Sequence, residues 1–282
     1  MEYSIETLNI GQEYDSKKVL NEINLQIGTG EIFGLLGPSG AGKTTLIKIL
    51  TGQIEQTWGT AMILGKNTRK LKGGDYKKIG IMMDNFVVYE RLSCYDNLKL
   101  FARIYGIKNE KINEALSNVG LLEARKTLAM NLSKGMRSRL ILARVLMINP
   151  SILFLDEPTS GLDPATMDEI HKLILKEKDK GITIFLTTHN MVEAEKLCDH
   201  IALLNEGNIV EYGTPAEICR KYNHQKKIKI HLYNGENIEL LNDKSAAGTV
   251  ENYLEHEMIE TIHSTEPNLE TVFMELTGRG FE

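Results

Sequence analysis

Cysteine is scarce: Cys94, Cys198 and Cys219 are the three in 282 residues, too widely spaced for a C-x-x-C pair and too few for an even disulfide framework, as fits reduced thiols in a cytosol. Long apolar runs are missing as well. No stretch approaches the roughly 18 apolar residues that a bilayer span requires, so a role at a membrane would need another chain to supply the spans. The opening Met1-Glu2-Tyr3-Ser4-Ile5-Glu6 has neither the basic start nor the apolar core of a signal peptide. Nor is positive charge in excess: 33 Lys and Arg against 38 Asp and Glu leave a formal charge of −5, which does not recommend nucleic acid as a partner. Internal repeats and low-complexity tracts are lacking too. What is there, 42% hydrophobic and 25% charged residues over 282 positions, suits one large globular domain or one domain with an appendage.

The strongest local pattern is Gly37-Pro38-Ser39-Gly40-Ala41-Gly42-Lys43-Thr44-Thr45, which fills every fixed position of G-x-x-x-x-G-K-[ST]. Glycines there let backbone N–H groups turn around a phosphate chain, the lysine reaches the outer phosphates, and the threonine hydroxyl holds Mg²⁺. The apolar run Glu31 to Leu36 before it reads as a buried parallel strand, and Thr45 to Leu50 begins a helix whose N-terminus faces the loop. A chance Gly-rich turn would lack this strand-loop-helix setting.

Residues 1 to about 30 alternate, with Ile5, Leu8 and Ile10, then Val19, Ile23, Leu25 and Ile27, and predict half-buried antiparallel strands. Leu98, Phe101, Ala102 and Tyr105, and again Ile112, Leu116, Val119 and Leu122, recur at helix spacing and predict a helical block inserted over about 80–150. Apolar runs at Ser151–Leu155, Ile182–Leu186 and Ile201–Leu204 with helical stretches between them predict a parallel α/β core. The first of these runs ends in Asp156-Glu157. Two carboxylates at the C-terminal end of such a strand lie where open parallel sheets bind ligands. Asp156 is expected to hold Mg²⁺ and Glu157 to orient and deprotonate an attacking water. Beyond a polar stretch near Lys221, residues 223–282 read as a small α+β domain: a strand at Ile228–Leu232, an Asn234-Gly235 turn, a returning strand at Ile238–Leu241, and helices over Val250–Leu254 and Leu269–Leu276.

With these motifs in this order, residues 1–222 resemble an ATP-binding cassette (ABC) ATPase. Leu132-Ser133-Lys134-Gly135-Met136 resembles that family's signature sequence at the start of a helix, Ser160-Gly161-Leu162-Asp163 its loop after the catalytic glutamate, and Thr187-Thr188-His189-Asn190 its switch histidine after a strand. Tyr14 falls where the family stacks an aromatic ring on adenine. The resemblance implies a P-loop NTPase fold, a mixed sheet core with an antiparallel β subdomain and an inserted helical subdomain. It also implies a dimer, of two copies or with a related cassette, in which Ser133 and Gly135 of one subunit meet ATP held by the other. Contacts to nucleotide would further come from Asp163, and His189 would sense the γ-phosphate. Integral membrane permease subunits would complete the assembly, with this chain peripheral on the cytoplasmic face of the membrane. The remaining histidines, His171 among them, show no metal-ligand spacing and read as structural or solvated.

Two departures from the family pattern stand out. Asp84 occupies the place of a glutamine that ligates Mg²⁺ and relays nucleotide state to the membrane partner; an aspartate there either binds the metal by its charge or reaches it through water. Lys134 stands for a glycine, and either adds charge near the partner's phosphates or lies in solvent. Asp84-Asn85, Ser-Lys-Gly-Met and the tail Thr265 to Gly278 together resemble ATPases of bacterial ABC-2 type exporters, including the bacitracin and lantibiotic self-protection group. A groove between Asp84 and Tyr105, with Phe86, Tyr89, Leu92 and Leu100, is where the family seats the cytoplasmic helix of its membrane partner. The expected function is ATP hydrolysis powering export of an antimicrobial peptide, drug or lipid-like compound. The alternative is a soluble ABC-type ATPase or regulatory module uncoupled from transport.

Overall fold

The computed structural model, which describes residues 3–83, 88–224, 226–265 and 267–278, opens with an antiparallel hairpin of β1 (Tyr3–Tyr14) and β2 (Lys17–Gly28). Ile5, Ile10, Leu20, Ile23 and Ile27 turn inward and are buried. Leu8, expected to share that face, is 63% exposed. The pairing register slips between Thr7 and Ile10, where Asn9 takes a left-handed φ of 48°, and an irregularity of that kind sends neighbouring side chains to the opposite face. After β3 (Ile32–Leu36) and α1 (Lys43–Leu50), β4 (Trp58–Ile63) and the short β5 (Lys66–Asn67) complete a sheet in the order β2-β1-β4-β5.

The central sheet draws on β3 and on β6 (Ile79–Met82), β7 (Ile152–Asp156), β8 (Thr183–Thr188), β9 (His200–Asn205) and β10 (Asn208–Gly213), in the order β10-β9-β3-β8-β7-β6. From β9 to β6 neighbouring strands pair in parallel. Every residue of β3, β7 and β8 is buried, as a parallel sheet covered on both faces requires. Register places Phe33 beside Phe185 and Phe185 beside Phe154, so three rings form a rung across the strands with centroids 5.3 and 5.4 Å apart. Leu46, Ile47 and Leu50 of α1 and the inward face of the hairpin close over that rung. Phe185→Ala is expected to destabilise the protein by about 3–5 kcal/mol, read as a lower urea midpoint at unchanged m-value. A shift worth under about 1 kcal/mol would show that the rung does not anchor the sheet.

Between β6 and β7 lies the helical block: α2 (Cys94–Tyr105), α3 (Glu110–Asn118) and α4 (Lys134–Leu146). Ser93 caps α2 by accepting from Asp96 N at 3.0 Å, and Gly106 ends it in the left-handed region. Leu98, Ala102, Ile112, Leu116 and Val119 of the expected stripe share one core with Leu140 and Ala143, whereas Phe101, Tyr105 and Leu122 stay half-buried outside it. Helices α5 (Pro164–Asp179) and α6 (Met191–Leu197) come after β7 and β8.

The second compact unit spans Gly213–Gly280. It contains α7 (Pro215–Lys221), β11 (Lys227–Leu232), β12 (Asn237–Leu241), α8 (Ala247–Glu255), β13 (Ile259–Thr265) and α9 (Leu269–Thr277), with its sheet in the order β12-β11-β13. The unit begins ahead of the boundary expected at 222/223 because α7 packs on α9. Asn268 caps α9 through Thr271 N at 2.9 Å, and Leu269, Val272 and Phe273 are its buried side.

Candidate active site

Strand order brings three loops together. β8 lies between β3 and β7, and register pairs Leu36 with Thr188 and Asp156 with Thr187. The three strands therefore end level, and their succeeding segments project from one edge: the nucleotide loop, Glu157 and His189. A cleft of about 490 Å³ opens there, lined by Pro38, Ser39, Gly40, Gly42, Lys43, Thr44, Thr45, Asp156, Glu157 and His189, together with Val19 and Ser160.

The loop is held by close packing. Gly42 has φ 111°, and a Cβ on it would lie 2.7 Å from Leu20 Cδ2 and 2.9 Å from Val19 O, so only glycine fits. Gly37 lies beneath the loop, where a Cβ would come within 2.3 Å of Leu204 O, and Ala41 is buried beside it with its N–H on Pro38 O at 3.2 Å. Among the described residues α1 has no side-chain cap and no acidic residue in its first turn. Its first amides and its dipole thus remain available to an anion. Lys43, only 8% exposed, donates to Gly37 O at 2.6 Å and Pro38 O at 3.2 Å and lies 3.4 Å from Glu157 Oε1.

Asp156 is fixed from both sides. Thr44 Oγ1 donates to its Oδ2 at 3.1 Å and Thr187 Oγ1 to its Oδ1. Next to it, Glu157 takes a left-handed φ of 51°, a conformation that costs a non-glycine residue about 1–3 kcal/mol and clusters at working sites. Its N–H is held by Thr187 O at 3.0 Å, and its Oε2 meets His189 Nδ1 at 2.7 Å. The backbone thus aims this carboxylate between an ammonium and an imidazole. Thr44 and Asp156 form an all-oxygen pair suited to Mg²⁺, which takes one or two protein ligands and completes its shell with water and phosphate. Among the described residues no group of three or more His, Cys, Asp or Glu could hold a metal ion.

Four expected contacts stand outside this cleft. Tyr14 sits at the β1–β2 turn with 47% exposure. Ser133 caps α4 by accepting from Met136 N at 3.2 Å. Gly135 lets α4 approach α5, since a Cβ there would lie 2.3 Å from Thr166 Cγ2. Asp163 caps α5 through Thr166 N and Oγ1, and the Thr166 hydroxyl foremost holds its carboxyl below the usual range. Lys134 is exposed, with its ammonium beside Gly161. Asp84 and Phe86 lie outside the described residues. Val19, Ser160 and Thr187 join the site without a role assigned to them from sequence; for Thr187 the signal is only a strand position whose neighbours across the sheet are far away in the chain, and Val19 reaches the cleft because its carbonyl packs against Gly42. A separate groove of about 320 Å³ is lined by Tyr76, Ile79, Ile81, Phe101, Tyr105 and Arg144 among others. The Arg144 guanidinium lies 4.5 Å from the Phe101 ring centre, and burial lowers its pKa. Tyr89 is 52% exposed, and Leu92 and Leu100 are half-buried.

The family profile described as ABC transporter matches residues 20–160. The fluoroquinolones export ATP-binding protein MT2762 of Mycobacterium tuberculosis is 39% identical over 262 residues, covering 90% of this chain and 85% of that protein. The lantibiotic transport ATP-binding protein SrtF of Streptococcus pyogenes is 36% identical over 220 residues, 77% of this chain and 95% of its own length. Among solved structures, a dimeric post-hydrolysis state of the ATP-binding cassette MJ0796 bound to ADP and Pi superposes with a TM-score of 0.67 at 26% identity, covering 74% of this chain and 98% of that one.

Proposed function

The chain belongs to the ABC transporter ATP-binding family, where it is an ATPase subunit of an exporter, and from that premise we propose how its residues divide the work. The observation that carries the reading is the meeting of Lys43, Asp156, Glu157 and His189 in one cleft. Backbone amides of the loop and the Lys43 ammonium bind the phosphate chain of ATP, while Thr44 and Asp156 hold Mg²⁺. The metal, when bound, neutralises charge on the phosphates. Glu157 accepts a proton from the attacking water. His189, paired to Glu157 through Nδ1, keeps the carboxylate oriented and reads the presence of the γ-phosphate. Tyr14 offers its exposed ring to adenine.

Ser133, Gly135 and Asp163 serve a second cassette. Ser133 and Gly135 open the α4 helix, whose N-terminus attracts anions. They lie away from this chain's own cleft, which supports a site completed between two subunits, either identical or related. ATP joins the pair and hydrolysis parts it. Permease subunits are proposed to supply the membrane spans, with the chain at work on the cytoplasmic membrane surface; among the described residues no helix is long and apolar enough to cross a membrane. The apolar groove at Phe101 and Tyr105 is the seat for a permease segment. Fluoroquinolones and a lantibiotic are what the relatives' names associate with them, and the cargo proposed here is of that kind: an antimicrobial peptide, drug or lipid-like compound.

Affinity capture of the tagged chain from detergent-solubilised membranes, followed by mass identification, tests the assembly. An integral membrane protein at about equal stoichiometry is expected, together with phosphate release from ATP. Capture of ribosomal proteins instead would overturn the transport reading.

A further inference from the structure

Behind the cleft, three buried side chains meet that ATP binding and hydrolysis leave unused. Thr159 stands two residues after Glu157, His171 lies on α5, and Glu193 is in the first turn of α6, four residues after His189. Thr159 is 4% exposed, His171 6% and Glu193 1%. Thr159 Oγ1 donates to Glu193 Oε1 at 2.7 Å. His171 Nε2 lies 3.0 Å from the same oxygen, and facing a carboxylate it carries the proton and donates. Glu193 Oε2 and His171 Nδ1 have no hydrogen-bond partner among the described residues, so a single oxygen takes both bonds.

Local sequence favours a different arrangement. A glutamate three residues after an Asn cap ordinarily reaches back to the cap's N–H. Here the Asn190 N–H goes to Thr188 Oγ1 at 3.0 Å, and the Asn190 side chain accepts from Glu193 N at 3.2 Å. The Glu193 carboxylate is left to turn inward. Burying a carboxylate is costly unless hydrogen bonds compensate it, and such groups are best attested as devices that fix a register. The segments joined here are those that carry the two paired side chains of the cleft. On one side a tight turn, with Ser160 N on Glu157 O at 3.2 Å and Leu162 N on Thr159 O at 3.1 Å, couples Thr159 rigidly to Glu157. On the other, α6 begins two residues after His189.

We propose that Glu193 is a positioning residue for ATP hydrolysis: by gripping Thr159 and His171 it locks the turn after Glu157 to the helix after His189, and so sets the pairing between those two side chains. This inference rests on the roles of Glu157 as base and His189 as its partner. Neither Thr159 nor Glu193 lines the cleft, so their effect is on the rate of the chemical step and not on nucleotide binding.

The test is steady-state phosphate release by the full-length chain carrying Thr159→Val, Thr159→Ser or Glu193→Gln, with rates normalised to the nucleotide bound per chain. Thr159→Val keeps the side-chain shape but deletes the hydroxyl. It is expected to lower kcat about 10- to 100-fold, the scale of a misplacement near 1 Å, with KM for ATP changed less than about twofold. Thr159→Ser is expected to restore turnover to near wild type, and Glu193→Gln to track the valine variant. Should Glu193→Gln fail to fold, the Thr159 pair still decides the matter. Normal kcat in Thr159→Val, an equal loss in Thr159→Ser, or a loss confined to KM would overturn the proposal. Glu157→Gln run alongside separates the two readings. Wild-type turnover well above that variant, with Thr159→Val also normal, removes only the positioning role. Wild-type turnover no higher than that variant removes the assigned chemistry and this inference with it.

Discussion

Replacing Glu157 with glutamine is expected to slow ATP turnover by about 10² to 10⁴, the contribution of a positioned general base, and to leave a dimer that forms only with ATP and Mg²⁺. The amide keeps the size of the carboxylate and one oxygen that can still face His189 Nδ1, now at 2.7 Å from Glu157 Oε2. It cannot take up a proton. The φ of 51° at this position and the N–H bond to Thr187 O belong to the main chain, so the substitution leaves the turn as it is. Binding survives while hydrolysis stops, and the nucleotide-bound pair accumulates. Phosphate release and size-exclusion chromatography read the two effects. A variant that hydrolyses at the wild-type rate would withdraw the role of base from Glu157, and one that stalls but stays single with ATP and Mg²⁺ would remove the shared site.

The second large effect is expected from Lys43→Ala. Its ammonium is nearly buried and bonded to Gly37 O and Pro38 O, so it is already aimed along the loop when phosphate arrives. Hydrogen bonds to a charged group contribute about 1.5–3 kcal/mol each, which at about 1.4 kcal/mol per tenfold weakens nucleotide binding about 10- to 100-fold. Titration with a fluorescent nucleotide at fixed Mg²⁺ measures it. Glu157→Gln and Lys43→Ala should therefore part company, one losing turnover and keeping affinity, the other losing affinity first. Wild-type affinity in Lys43→Ala would show that the loop amides alone hold the phosphates.

Chemistry written in contiguous residues is legible in the sequence. The nucleotide loop, Asp156-Glu157 and His189 each come at or within a few residues of the end of an apolar strand, and short-range patterns of that kind survive folding. Ser93 and Asn268 sit as caps because their function is decided within three residues of chain. Relations between distant positions are not legible. Thr159 and Glu193 are 34 positions apart, and nothing in either segment announces the other. Leu8 misleads because alternation carries no mark of the slip at Asn9. The strand β13 leaves no sequence signal, since Glu260, Thr261, His263 and Ser264 are exposed and give its pattern no apolar side. Helix α7 reads as part of the first unit because its polar end near Lys221 looks like a linker, whereas its packing on α9 is a matter of tertiary contact.

The neighbours of β3 have a consequence for how the protein is made. In the sheet, Ile32–Leu36 pairs only with β8 and β9 among the described residues, through partners at positions 184–188 and 200–203. A ribosome adding about 5–20 residues per second therefore exposes this wholly apolar segment for roughly 7 to 30 seconds before its sheet neighbours are synthesised. The hairpin that precedes it can close at once, but the nucleotide loop has no scaffold until most of the chain has emerged. Nascent copies halted before residue 183 should accordingly engage chaperones and bind no ATP.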